Sequence, residues 1–276
     1  MPPSPASPDC YLPVPGALLR YRDEGRGPPV LLIHGWTLDL DMWEPQVAEL
    51  AGTFRLIRLD RRGFGLSSGR ASLAADVRDA LGLCDRLQLD RLACVGMSQG
   101  ARVALQLCRI APERISCVVL DGPPADLGDD AADDDEDVPL AEYRRLLAAG
   151  DIETFRRRWA SHPLTQLESH SPRSRALLQR MTARYSGNDL LLQELPAAED
   201  HWDRAITESL RIPALIVTGE HDLPARVRAA DALAEALALG ERARIPAARH
   251  LPNLDNPSAY NSVLRAFLER HTHSHP

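Results

Sequence analysis

Hydrophobic residues in this chain gather in short continuous runs instead of alternating with polar ones. The runs are VLLI (30–33), FRLIRL (54–59), LACV (92–95), ISCVVL (115–120), ALIV (214–217) and the weaker ARI (243–245). A strand with one wet face alternates; a continuous run suits a strand covered on both faces, and hence a parallel sheet. Between the runs, helical spacing covers Met42 to Ala51, Leu73 to Leu87, Gln99 to Ile110, Arg226 to Leu239 and Pro257 to Glu269. The segment Gln99 to Ile110 is apolar almost all round, as a central buried helix is. Strand alternating with helix predicts βαβ units and a doubly wound α/β core. A short extended pair, around Tyr11 to Val14 and Ala17 to Asp23, precedes it. Pro13, Pro15, Gly16, Gly25 and Gly27 punctuate that pair.

The rhythm breaks between about Pro123 and Glu208, where helical patterns appear without a strong strand. They cover Leu140 to Ala149, Ile152 to Ala160, Pro172 to Tyr185, and Asp189 to roughly Ile206. This predicts a core built from 1–123 and 209–276, interrupted by a helical cap over 124–208. The acidic run ADLGDDAADDDEDVP (125–139) leads into the cap. Like charges repel there and little can be buried, so a solvated, mobile loop is expected.

Composition narrows the function classes. With 276 residues, 44% of them hydrophobic, the chain can bury a substantial core. A net charge of −7 gives no global attraction to nucleic acid or to an anionic membrane. All 32 basic residues are Arg, a bias read as codon usage in preference to phosphate binding. The opening MPPSPASPDC has no apolar signal core, and no run is long enough to span a bilayer, so a soluble cytoplasmic protein is expected. Cys10, Cys84, Cys94, Cys108 and Cys117 lack ligand-like spacing. They are expected to be free thiols, with neither a metal site nor a cofactor. The expected partner is a small-molecule substrate; a homodimer stays open.

The chemistry centres on VGMSQGA (95–101). LACV predicts a strand and Gln99 to Ile110 a helix, so Gly96-Met97-Ser98-Gln99-Gly100 sits on a strand-to-helix turn. In that context Gly-x-Ser-x-Gly holds an exposed serine in strained geometry. A serine hydroxyl needs a base to take its proton. ALIVTGEHD (214–222) ends a strand with Asp222, and ARIPAARHLPNLDNP (243–257) carries His250 after the last strand. Ser98, Asp222 and His250 follow the chain order of one type of catalytic triad, with His250 as base and Asp222 holding the imidazole. Asp121, at the end of VVLD, competes for the acid role. His162, His170, His201, His221 and the terminal HTHSHP are weaker histidine candidates. Backbone amides aimed at a developing oxyanion come from Gln99, directly after the serine, and from Trp36 in VLLIHGWT (30–37).

These pieces resemble the α/β-hydrolase superfamily. The matching segments are HGW (34–36), DRRGFGLSSG (60–69), GMSQG (96–100), GEHD (219–222) and RHLPNLDNP (249–257), spread over nearly the whole chain. DRRGFGLSS is similar to a segment of cofactor-free haloperoxidases, and RHLPNLDNPSAYN to the C-terminal loop of 3-oxoadipate enol-lactonases. The resemblance implies an α/β-hydrolase fold: a mostly parallel sheet flanked by helices, with a helical cap. It implies a serine hydrolase of small carboxylic esters or lactones that acts through an acyl-enzyme without a cofactor. The same triad also serves perhydrolases and carbon–carbon bond hydrolases, lyases share the scaffold, and a hydrolase-fold ligand receptor is the reading from another class. Ser98 argues against the subfamilies with an aspartate nucleophile, and Leu251 replaces the Trp usual in carbon–carbon hydrolases. Gly35, Arg102, Trp159, Leu223 and Leu251 are the expected substrate-side residues. Arg102 lies one helical turn past Ser98, where some relatives contact a substrate acid, although Gln106 and Arg109 share its helical stripe.

Overall fold

Leu31 and Ile33 pack into one apolar layer while Val30 and Leu32 pack into another. A strand's successive side chains point to opposite faces, so a run without polar members needs cover on both. A computed structural model describes residues 8–124, 138–191 and 204–272. Residues 125–137 of the acidic run, His201, His273 and His275 lie outside these ranges, as does the expected mobility of that run.

The strands are β1 (Cys10–Val14), β2 (Ala17–Glu24), β3 (Pro29–Ile33), β4 (Arg55–Leu59), β5 (Leu92–Met97), β6 (Ile115–Asp121), β7 (Ala214–Gly219) and β8 (Gly240–Ile245). They form one sheet in the order β1-β2-β4-β3-β5-β6-β7-β8. β2 pairs antiparallel with β1 and β4, and every other neighbouring pair is parallel. The helices are α1 (Glu44–Leu50), α2 (Leu73–Arg86), α3 (Gln99–Ile110), α4 (Leu140–Ala148), α5 (Ile152–Ala160), α6 (Pro172–Arg184), α7 (Asn188–Leu191), α8 (Arg204–Ser209), α9 (Pro224–Ala236), α10 (Pro252–Asp255) and α11 (Pro257–Thr272). Among the described residues, no helix is long and apolar enough to cross a membrane. Sequence patterns and elements agree to within a few residues. α9 starts at Pro224, ahead of its expected start, because proline suits the first helical position, where no N–H is needed. Of the helix expected from Asp189 to Ile206, α7 and α8 are the described ends.

Helices α2, α3 and α9 cover one face through Val77, Leu83, Val103, Leu107 and Leu233. Trp43, Leu50, Phe54, Phe267 and Leu268 cover the other. Cys84, Cys94, Cys108 and Cys117 are buried free thiols within this packing, and Cys10 is a half-buried one. Burial pushes the thiols of Cys84, Cys94 and Cys108 upward, so they act as small apolar side chains.

Helices α4 to α7 carry an apolar cluster of their own, made by Tyr143, Leu147, Phe155, Trp159, Tyr185 and Leu190 with Phe64 from the sheet side. Polar links fasten this segment to loops at the carboxyl ends of the strands. The Trp159 indole donates to Thr37 Oγ1 at 2.7 Å, and Ser174 Oγ donates to the Leu254 carbonyl at 2.8 Å. Arg184 pairs with Asp39 and with Asp41, each at 2.7 Å.

Phe155 is 1% exposed and meets Trp36, Tyr143 and Tyr185 ring to ring. Phe155→Ala is expected to cost about 3–5 kcal/mol through lost burial and an unfilled cavity. The urea midpoint of the purified variant checks this.

Candidate active site

Ser98 occupies the single residue between β5 and α3, with φ of +51° and ψ of −115°. A non-glycine residue pays strain to sit at positive φ and stays there only when its surroundings hold it. Its N–H donates to the Asp121 carbonyl at 2.7 Å, and its carbonyl accepts from the Ala101 N–H at 2.8 Å. The flanking glycines make room. A β-carbon on Gly96 would lie 2.3 Å from the Gly100 carbonyl oxygen, and one on Gly100 would lie 2.4 Å from that of Ile33. The turn therefore closes only with glycine at both positions.

His250, 3% exposed, follows β8 and directs Nδ1 at the Asp222 carboxylate, 3.1 and 3.0 Å from its two oxygens. Asp222 follows β7 and accepts the Leu223 N–H at 2.8 Å. Burial pushes the Asp222 carboxyl upward, but the charge and hydrogen bond of His250 and the Leu223 amide outweigh it. The result lies below the ordinary carboxylate range. Asp121 is buried without touching the imidazole in this way. Burial pushes its carboxyl well above the usual range, against Tyr260 and with help from the Asp222 charge. Of the two acids considered from the sequence, Asp222 is the one hydrogen-bonded to His250. Gly122 backs the imidazole: a β-carbon there would lie 2.8 Å from His250 Cε1, and its φ is +53°.

Ser98 and His250 open into one cavity of about 430 Å³, within the usual range for small-ligand sites. Of the expected substrate-side residues, Arg102, Trp159 and Leu251 line it, together with Trp36 and Gln99. Gly35 and Leu223 are placed elsewhere. Gly35 is wedged where a β-carbon would meet Met97 Sδ at 2.6 Å, and Leu223 packs against the cluster of α4 to α7. The Arg109 guanidinium donates to Gln106, so those two members of the helical stripe pair with each other while Arg102 faces the cavity. His162 stacks on Trp159, and His221 pairs with Glu168. Sequence reasoning missed Arg226, which is buried and shares the cavity wall. Its place in the first turn of α9, four residues after Asp222, was the available signal.

The loop after β3 carries the other side of the site. His34 is fully buried, which pushes its imidazole well below the ordinary value, and the Arg61 charge adds to this. It is thus neutral: Nε2 accepts the Arg61 N–H at 2.9 Å, and Nδ1–H donates to the Gly35 carbonyl at 2.7 Å. The Trp36 indole donates to Asp189 at 2.7 Å, where Tyr185 also donates at 2.6 Å. Gln99 is the first residue of α3, so its N–H is one that a helix leaves without an intrahelical partner.

A match to the family described as the alpha/beta hydrolase fold runs over residues 28–257. The chain belongs to this family. An α/β-hydrolase with esterase relatives is therefore in hand. It is similar to a pimeloyl-(acyl-carrier protein) methyl ester esterase from Nitrosomonas europaea, 34% identical over 104 residues. That match spans 38% of this chain and 40% of the relative. Among solved structures, a thermophilic esterase from Thermogutta terrifontis is 26% identical, with a TM-score of 0.77, over 96% of this chain and all of that one. The enol-lactonase from Burkholderia xenovorans LB400 shares the fold, with a TM-score of 0.77 at 24% identity over 94% of this chain and all of that one.

Two outcomes check the geometry. In Gly122→Ala the new methyl group displaces the His250 ring, so the low-field proton NMR signal of the His250–Asp222 bond is expected to vanish; an unchanged signal would contradict the contact. Asp76, fully buried beside Arg61, is pushed up to about 6 by burial, which outweighs the arginine. A carboxyl raised on folding favours the fold below its unfolded pKa and loses that contribution as pH rises through about 6. Asp76→Asn lacks this proton uptake, so it should gain on wild type by roughly 1–3 kcal/mol between pH 4 and 7.5. Urea unfolding at both pH values measures the difference.

Proposed function

We propose that this α/β-hydrolase is a serine hydrolase that cleaves small carboxylic esters or lactones through an acyl-enzyme on Ser98. The observation that carries the reading is the strained, cavity-facing Ser98 sharing one pocket with a His250 held by Asp222. His250 would take the serine proton as Ser98 Oγ attacks the carbonyl carbon, and would return it to the leaving alcohol oxygen. Asp222 keeps the imidazole oriented and stabilises its charged form. The amides of Trp36 and Gln99 would hold the tetrahedral oxyanion, a contribution of about 3 kcal/mol for each donor. Water activated by His250 would then release the acid and free the serine. In a lactone the alcohol stays attached, and the same steps open the ring.

The helical segment α4 to α7 serves in this reading as the cap that sets substrate choice, because Trp159 and Leu164 form cavity wall beside Trp36, Leu38 and Leu251. An apolar wall of this kind favours apolar acyl or alkyl groups. Arg102 and Arg226 add positive charge at the same cavity, so esters with a distal carboxylate belong in the test panel.

Wild type is expected to give a burst of p-nitrophenol from short-chain p-nitrophenyl esters and to take up a fluorophosphonate label on Ser98. In Ser98→Ala both should disappear, with turnover falling at least on the order of 10³-fold. A folded wild type that hydrolyses no ester or lactone and takes up no label would sink this reading.

A further inference from the structure

The segment DRRGFG contains two adjacent arginines with different destinations. Arg62 turns outward to Asp79 and the Pro15 carbonyl. Arg61 turns inward, and its side chain is 3% exposed. One guanidinium nitrogen donates to Asp76 of α2 at 3.0 Å. The other donates to the Gln99 side-chain oxygen at 2.6 Å and reaches the Gly35 carbonyl at 3.4 Å. The Phe64 ring closes one face at 4.5 Å, and the Arg61 backbone N–H fixes the His34 ring.

We infer that Arg61 is a positioning residue that aims both oxyanion donors, an inference that rests on the serine hydrolase reading. The peptide unit is the reason. The Gly35 carbonyl and the Trp36 N–H belong to one planar trans unit and point in opposite directions. Drawing the Gly35 oxygen toward His34 Nδ1–H and the Arg61 guanidinium therefore turns the Trp36 N–H the other way, toward the cavity. The second donor, the Gln99 N–H, belongs to the residue whose side chain the same guanidinium holds. One rigid, forked cation anchored to α2 thus sets the spacing between a loop amide and a helix amide. Lysine carries the charge but not the fork, so it cannot hold both at once.

The test compares Arg61→Met, Arg61→Lys, Gln99→Leu and Arg62→Met with wild type. It reads kcat and KM on p-nitrophenyl acetate, the affinity for a trifluoromethyl ketone that mimics the tetrahedral state, and the urea midpoint. Arg61→Met should lower kcat on the order of ten- to hundredfold with KM nearly unchanged, and ketone affinity should fall by the same factor as kcat/KM. Arg61→Lys should recover part of that loss. Gln99→Leu should reproduce part of it from the other side of the contact, and stands in if Arg61→Met fails to fold. Arg62→Met should lower the urea midpoint while leaving kcat and ketone affinity in place. Folded Arg61→Met and Gln99→Leu with kcat and ketone affinity within about twofold of wild type would overturn the inference. If wild type itself hydrolyses no ester, the function reading falls and amide exchange decides the positioning. Faster exchange at Trp36 and Gln99 in Arg61→Met but not in Arg62→Met supports it, and equal exchange overturns it.

Discussion

The close approach of α3 to the ends of β3 and β5 governs the rest of the molecule. Three glycines permit it, at positions 35, 96 and 100, where added β-carbons would fall 2.3–2.6 Å from neighbouring atoms. Contact this tight brings the first amide of α3, the strained serine and the loop after β3 into one corner. The strain at Ser98 costs on the order of 1–3 kcal/mol, and such strain persists only inside a structure that over-determines it. The sheet supplies that rigidity. β5 is buried along its whole length between β3 and β6, and both of its faces are packed.

Two arginines answer a carboxylate through a pair of bonds. Arg58 meets both oxygens of Glu24 at 2.8 and 2.7 Å, and Arg62 meets both of Asp79 at 2.5 and 2.7 Å. A planar guanidinium matches a carboxylate edge to edge, which a lysine ammonium cannot do. Whatever biased the chain toward arginine, the fold makes structural use of the fork.

Much of the architecture was legible because the signals were local. Continuous runs such as VLLI and ALIV mark strands covered on both faces, and Pro172 marks where α6 begins, whereas Pro224 opens α9 ahead of the expected Arg226. Gly96 and Gly100 announced the turn because only a missing side chain fits there. Chain order alone could not choose between Asp121 and Asp222, since both end parallel strands; the hydrogen bond to His250 and the burial of Asp121 separate them. Cavity walls were harder to read. Gly35 and Leu223 lie next to site residues in sequence but are not part of the cavity wall, whereas Arg226 joins it from another element. Arg61 was hidden because its partners, His34, Gly35, Asp76 and Gln99, are scattered along the chain and meet only after the sheet forms.

Trp36 belongs to two structures at once. Its indole grips Asp189, the anchor shared with Tyr185, and the residue borders the cavity beside Ser98. Any drift of α7 is therefore transmitted to the loop after β3 through Trp36, alongside the Trp159–Thr37 and Arg184–Asp39 links. In evolutionary terms, this chain cannot reshape the packing around α7 without also disturbing the loop that borders its cavity. Changes in selectivity and changes in rate should arrive together, and variants that separate them would need a second substitution at Trp36 or Asp189.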